Sequence, residues 1–215
     1  MSQVTLLIDN DVVIKLAQMD AYADAITSIP APANKVGSLG VMLRYMRRLS
    51  EGQRLTRDEA DRLQDVILNI VEIEPTSDES KLSAILMKVI LEDELDMDEG
   101  EVALVAVGIK RASTDIATGD KRALLALPAL ERRFPELKQL RGRFVCFEQI
   151  VKRLCEVRGL ARVRTAVITA RHADGAITKT YDYFESRGAR ALARGLEIVI
   201  RETISTPAPG WLKNL

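Results

Sequence analysis

Apolar positions along the chain fall into short dense runs and longer periodic ones. Val4 to Ile8 (VTLLI) is a short apolar run rich in branched residues, the pattern of a buried parallel strand. It stops at Asp9-Asn10-Asp11, and Val12, Val13, Leu16, Met19 and Ala23 follow at roughly helical spacing. Ile29-Pro30-Ala31-Pro32 breaks that helix. Lys35 to Ser50 reads as helix, with Leu39, Met42, Leu43 and Met46 on one side. Thr56-Arg57-Asp58-Glu59 has the capping-box pattern and opens a helix to about Ile70. After Pro75, the residues Leu82, Ile85, Leu86, Val89 and Ile90 mark another amphipathic helix. Gly100-Glu101 begins a helix that is apolar on most sides and is therefore expected to be buried.

Two more strands are expected. Asp115 to Thr118 leads into Gly119-Asp120 and a helix from Lys121, and Pro128 and Pro135 bracket further helix. Arg143 to Phe147 is the third short apolar run. Ile150 to about Thr203 reads as helical, interrupted near Gly159 and at Asp174-Gly175. Pro207, Pro209 and Gly210 predict an irregular tail. Short strands separated by helices predict a parallel sheet and an α/β class, in three layers over residues 1–150. A helical extension over 151–205 and the tail over 206–215 complete the organisation.

Composition narrows the function classes. The chain has 215 residues, 47% apolar and 29% charged, enough for a substantial core. Aromatics are only 4%, which argues against an aromatic stacking platform. Two cysteines and one histidine exclude a disulfide framework and a four-ligand zinc site. No apolar run approaches the ~20 residues of a membrane span. The start of the chain has neither a charged leader region nor a small-residue cleavage site, so a cytoplasmic location without membrane contact is expected. The net charge of zero hides an asymmetry. Arg141 to Arg201 holds 13 Lys/Arg and 6 Asp/Glu, a surplus of +7 that leaves −7 elsewhere, and Glu92 to Glu101 holds seven acids in ten residues. An acidic centre with a basic flank suits a metal site beside a polyanion-binding surface, or two solvated helix faces that attract each other.

Three carboxylates sit where such a sheet would gather them. Asp9 ends the first strand, Asp120 lies just past Asp115–Thr118, and Glu101 opens the buried helix between them. Sites in parallel sheets form beyond the carboxyl ends of the strands. Crowded carboxylates call for a divalent cation, and hard oxygen ligands suit Mg²⁺ or Mn²⁺, which can activate water against a phosphodiester. Each residue also has a plainer reading: Asp9 as a helix cap, Glu101 as a partner of the helix dipole, Asp120 as a turn residue.

LLIDNDVVIKL, followed by GEVALVAVGIKRASTDIATGDKRAL, resembles the PIN domain family of metal-dependent nucleases. The resemblance covers roughly residues 4–150. It implies a PIN-like three-layer fold and a Mg²⁺- or Mn²⁺-dependent endoribonuclease, a toxin or an RNA-processing enzyme. Asp9, Glu101 and Asp120 would be catalytic; together with Asp11 and Thr118 they would form the metal site. RNA would be the substrate, with a second copy of the chain or an inhibitory protein as further partners. One departure stands out. The family carries a further acid on a helix after the first Asp, whereas no Asp or Glu lies between Asp24 and Glu51, where Arg44, Arg47 and Arg48 occur. Asp11, or else Asp98, would have to supply it. Without it, the chain would be a catalytically weak PIN-like module that binds protein or RNA.

Asp9-Asn10-Asp11-Val12-Val13 also satisfies the opening motif of haloacid dehalogenase-type phosphatases, with Asp9 as nucleophile and Asp11 as general acid. Those enzymes place a Gly-rich loop next and a second acid after the late Gly-Asp. Here an apolar helix follows directly, and KRALLALPAL contains no acid. In the basic region, Arg187, Arg190 and Arg194 are candidate RNA contacts or ordinary surface charge. Tyr181, Tyr183 and Phe184 read as core or interface, Trp211 as a tail anchor or partner contact, and the cysteines as buried thiols.

Overall fold

In the computed structural model, which describes residues 4–29, 35–52, 54–111 and 114–215, β1 (Leu6–Ile8) lies at the centre of a parallel sheet. It pairs on one side with β2 (Val36–Leu39), which pairs in turn with β3 (Val71–Ile73). On the other side it pairs with β4 (Asp115–Thr118), which pairs with β5 (Phe144–Cys146). The spatial order is β3-β2-β1-β4-β5. The α/β class, the parallel sheet and the three strands read from the sequence are therefore present.

Side chains alternate across each strand. Leu6 and Ile8 enter one apolar cluster, while Leu7 enters another. The first cluster packs β1 against α1 (Asn10–Gln18), α4 (Arg57–Ile67) and α8 (Phe147–Arg158). The second packs it against α5 (Ser77–Glu92), α6 (Glu99–Lys110) and α7 (Lys121–Arg133). Helices thus cover both faces of the sheet.

The structure divides the chain more finely than its pattern suggests. The helix expected after Asp9 is two helices, α1 and α2 (Tyr22–Ser28), separated at Asp20, whose φ is +49°. Lys35 to Ser50 is not one helix: β2 comes first, and α3 (Gly40–Glu51) begins directly after it. Gly37 allows β2 to lie close, since a Cβ there would meet Val4 and Ile73 side-chain atoms at 2.9 Å. Pro30, Ala31 and Pro32 lie outside the described residues. Capping boxes close the N-termini of α4, α5 and α6 through Thr56–Glu59, Thr76–Glu79 and Asp98–Glu101. The expected box at Thr56 is one of them.

The C-terminal residues form α8, α9 (Leu160–Thr169), α10 (Gly175–Phe184) and α11 (Ala189–Ile200). The breaks at Gly159 and Asp174 are where the sequence puts them; a third, at Glu185–Gly188, was not expected. Val163, Val167, Ile177, Tyr181, Leu192 and Leu196 join the same cluster as Leu6 and Ile8. Tyr181 is accordingly core, whereas Tyr183 is exposed. Among the described residues no helix is long and apolar enough to cross a membrane.

The tail closes the outer edge of β5. Phe144 donates to the Trp211 carbonyl at 3.2 Å, and Lys213 donates to the Phe144 carbonyl at 2.7 Å. Trp211 is fully buried, edge-on to Phe144 at 6.1 Å, with the Arg141 guanidinium 5.1 Å from its ring centre. Covering an edge strand removes a template for intermolecular pairing. Trp211→Ala is expected to cost about 3–5 kcal/mol of stability. The readout is the urea midpoint followed by far-UV circular dichroism, because the substitution removes the chain's one tryptophan. An unchanged midpoint would show that the tail merely rests on the sheet.

Candidate functional site

Asp9 follows β1 and Thr118 ends β4, and the two strands run parallel in register, with Ile8 opposite Ala117. The Asp9 amide donates to the Ala117 carbonyl at 2.9 Å. Asp9 and the β4–α7 turn therefore share the carboxyl edge of the sheet, as the sequence predicts. Asp9 occupies the cap position of α1 without a well-formed side-chain cap hydrogen bond, although the Asn10 and Asp11 amides favour its ionised form. It is buried. Burial, then the charges of Asp11 and Asp98, push its carboxyl up to about 7, against the opposing pull of the Asn10 and Asp11 amides.

Glu101 arrives from α6 and is also buried. It holds the reciprocal cap: its amide donates to Asp98 Oδ1 at 2.9 Å, and its Oε2 accepts from the Asp98 amide at 3.0 Å. The plain structural role is thus real. It does not satisfy the charge, because burial and the neighbouring Asp120, Asp98 and Asp9 push the Glu101 carboxyl up to about 8. Among the described residues no cation lies within ion-pair distance of Asp9 or Glu101.

The other expected acids differ. Asp120 caps α7, accepting from the Arg122 amide at 2.7 Å, and takes the Arg122 guanidinium in a fork at 3.2 and 2.6 Å. Burial raises its pKa, but the Arg122 contacts outweigh that and hold Asp120 below the usual carboxylate range. Thr118 Oγ1 accepts from the Asp120 amide at 3.1 Å, so its hydroxyl shapes the turn that presents Asp120. Asp11 is half-exposed and paired with Lys15 at 2.7 Å. It lies against the β4–α7 turn rather than in bulk solvent: a Cβ on Gly119 would fall 2.2 Å from its Oδ2. Asp98, exposed in the acidic loop, acts electrostatically on both Asp9 and Glu101.

Three cations at this edge carried no expectation. Lys15 bridges Asp11 and Asp174, the latter at 3.0 Å, and lies 5.2 Å from the Phe147 ring centre. Arg122 spans Asp120 and Asp96. Lys121 pairs with buried Glu148 at the start of α8. The Asp11–Lys15 spacing of four is the one signal in the sequence that could have revealed such a pair. Among the described residues, no three His, Cys, Asp or Glu side chains are grouped closely enough to form a metal cage. Asp9 and Glu101 suit a hard cation in charge and donor chemistry; Asp120 suits one once Arg122 moves aside.

The remaining candidates do not join this edge through any contact. Arg187 stacks on Tyr183 and Phe184, with its guanidinium 4.8 and 5.8 Å from the ring centres. Arg190 and Arg194 are exposed on α11, beside Glu197 and Glu156. Both cysteines are buried, and burial pushes the Cys146 thiol well above its usual range. No family model, curated protein or solved structure matches the chain.

Asp9 provides a test without any ligand. In the unfolded chain its carboxyl ionises near 3.8, whereas the folded protein retains the proton until about 7. The folded state binds more protons in that window, so Asp9 lowers stability progressively as pH rises from about 4 to 7. Asp9→Asn is expected to exceed the parent in stability at pH 8, by on the order of 1–4 kcal/mol. The gap should narrow toward pH 4. Melting curves in chelator across this range check it; a lower melting temperature for the variant at pH 8 would make Asp9 a structural cap.

Proposed function

We propose that the chain is a divalent-metal-dependent ribonuclease of PIN-like, three-layer fold, with Mg²⁺ or Mn²⁺ held at the carboxyl edge of the sheet. The observation that carries this is the pair Asp9 and Glu101, two buried carboxylates from separate elements with no cation beside either. Evolution of a stable fold alone would not favour that arrangement, since each unpaired buried charge costs stability. The resemblance of both sequence motifs to PIN nucleases agrees with it and supplies RNA as the substrate class.

Asp9 and Glu101 would hold the ion, Asp120 would complete its carboxylate set, and Thr118 would orient the Asp120 turn. A bound divalent ion supplies an activated water and charge neutralisation at a phosphodiester. Asp11, already neutralised by Lys15, shapes the electrostatics of the site rather than binding directly. Arg122 is two-thirds exposed, and its long side chain can leave Asp120 for a phosphate oxygen.

A second reading, a PIN-like module that binds rather than cuts, is favoured by one observation. Asp11 and Asp120 are each already paired with a lysine or arginine of the same chain. The two readings divide on metal affinity. On the ribonuclease reading, Mn²⁺ titrated calorimetrically gives a heat that Asp9→Asn and Glu101→Gln abolish, and cleavage of single-stranded RNA is lost with it. Arg122→Ala is expected to tighten Mn²⁺ about two- to five-fold, the worth of one partly exposed ion pair. Absence of a Mn²⁺ heat in both the parent and Arg122→Ala would leave the binding module as the better reading.

A further inference from the structure

A cavity of about 670 Å³ lies between α8, the C-terminal end of α11 and the tail. That volume falls within the about 300–1,000 Å³ of small-molecule sites. None of Asp9, Glu101 and Asp120 lines it. Five basic side chains do, against the two acids Glu156 and Glu197. Lys152 and Arg153 of α8 share Glu156, at 2.8 and 3.4 Å. Arg194 of α11 is exposed and, among the described residues, in no ion pair. Arg201 is held only by its neighbour Glu202, at 3.6 Å with both side chains exposed, a contact worth little. Lys213 arrives from the tail and is paired with Asp115. A cleft lined mainly by one sign of charge focuses its field on a counter-ion.

The helix that forms one wall sets the shape of that counter-ion. α11 runs straight into a single π turn, Arg201–Ser205, a rare geometry that recurs at functional sites. Arg194 and Arg201 are seven residues apart on this path, so they stand on one face, about 10 Å apart along the axis. A chain of phosphates laid along the helix meets both. Ser205, half-buried in the π turn, adds a hydroxyl with no hydrogen-bond partner among the described residues. The rest of the lining includes the apolar side chains Ile198, Ile200 and Leu212 and no aromatic ring. The cavity therefore has room for an organic group beside the phosphates, packed on aliphatic side chains rather than stacked.

We propose that this cavity binds the diphosphate or triphosphate group of a small organic molecule, laid along α11 between Arg194 and Arg201 and faced by Lys152 from α8. Guanidinium groups suit phosphate oxygens, which they grip by two parallel hydrogen bonds. None of these residues serves the carboxylate edge, so the site stands whether or not the chain cuts RNA. The ligand also ties down the tail. Lys213 and Asn214 belong to both tail and lining, and Gln149 fastens the tail to α8 by donating to the Lys213 carbonyl at 2.7 Å. Trp211 is buried two residues before Lys213, close enough for its fluorescence to report on the site.

The test titrates the full chain, in metal-free buffer at low salt, with ATP, ADP, AMP, adenosine and inorganic tripolyphosphate. Trp211 fluorescence is read, with calorimetry in parallel so that a silent tryptophan does not decide the outcome. ATP and ADP are expected to bind saturably, AMP and tripolyphosphate more weakly, and adenosine not at all. Arg194→Ala and Arg201→Ala should each weaken ATP about ten-fold, the loss of one charge-assisted hydrogen bond. Both side chains are exposed, so their removal leaves the core intact. Thiamine diphosphate separates two sources of the same group: binding equal to ADP assigns recognition to the diphosphate, and weaker binding assigns part of it to the nucleoside. No binding by any of the phosphates, unchanged ATP affinity in both variants, or tripolyphosphate as tight as ATP overturns the proposal. So does an RNA hexamer that binds through the same arginines and is not displaced by ATP, which would make this face a nucleic-acid surface.

Discussion

Asp9 and Glu101 are buried together, and neither has a cation against it. Taking a carboxylate out of water is costly, and putting a second one nearby adds repulsion. The surrounding polar structure is arranged about this constraint. The Asp98 amide supports Glu101 from one side, and the Asn10 and Asp11 amides support Asp9 from the other. Neither support is enough, and both carboxyls retain protons toward neutral pH. Three other acids at this edge have a partner, Asp11 with Lys15, Asp120 with Arg122 and Glu148 with Lys121, while Asp98 is exposed to water. Asp9 and Glu101 differ from these acids in being buried without a cation among the described residues.

The same pairs bind the C-terminal helices to the sheet. Asp174 caps α10 through the Ala176 and Ile177 amides and also receives Lys15 from α1. Glu148, in the first turn of α8, receives Lys121 from the first turn of α7. Movement of α8 or α10 would therefore alter the charge beside Asp11 and the start of α7. Residues 151–205 also complete the apolar cluster around Leu6 and Ile8, and the tail covers β5. The C-terminal segment holds the edge of the sheet in place as well as adding length to the chain.

Much of this was legible in the sequence, for a physical reason. A strand buried on both faces is mostly apolar, so Val4–Ile8 and Phe144–Cys146, the latter an edge strand covered by the tail, were readable, and Asp115–Thr118 was marked by the turn after it. β2 and β3 were not. Val36–Leu39 contains a glycine and a serine and runs straight into a helix, and Val71–Ile73 is a half-exposed edge strand of three residues. Neither carries the apolar density that marks β1, although β2 is buried along its whole length. Strand ends placed Asp9 and Asp120 correctly, because parallel topology brings carboxyl ends together whatever the intervening chain does. The cations were not legible. Arg122 reaches Asp120 by a local fork, but Lys15 reaches Asp174 across most of the chain, and no local pattern encodes that.

The absence of an acid on α3 before its last residue, Glu51, has a structural consequence beyond a missing ligand. Arg44 and Arg47 face Glu72 and Glu74 from the β3 end of the sheet, so that helix is held by its own cations. The charge near the site must then balance without it. Asp9, Asp11, Asp98, Glu101 and Asp120 stand with Lys15 and Arg122, each shared with a further acid, Asp174 and Asp96, so the edge is net negative if all ionise. Protons on Asp9 and Glu101 reduce that surplus. A divalent ion would do the same while releasing both protons, so proton and metal would compete for one pair of oxygens. Site affinity for metal would then rise with pH through the range in which Asp9 and Glu101 ionise. Arg122 would set a second competition, because Asp120 cannot serve the guanidinium and an ion with the same lone pairs. On the metal reading, occupancy would thus be governed by two local exchanges, neither of which requires the fold to move.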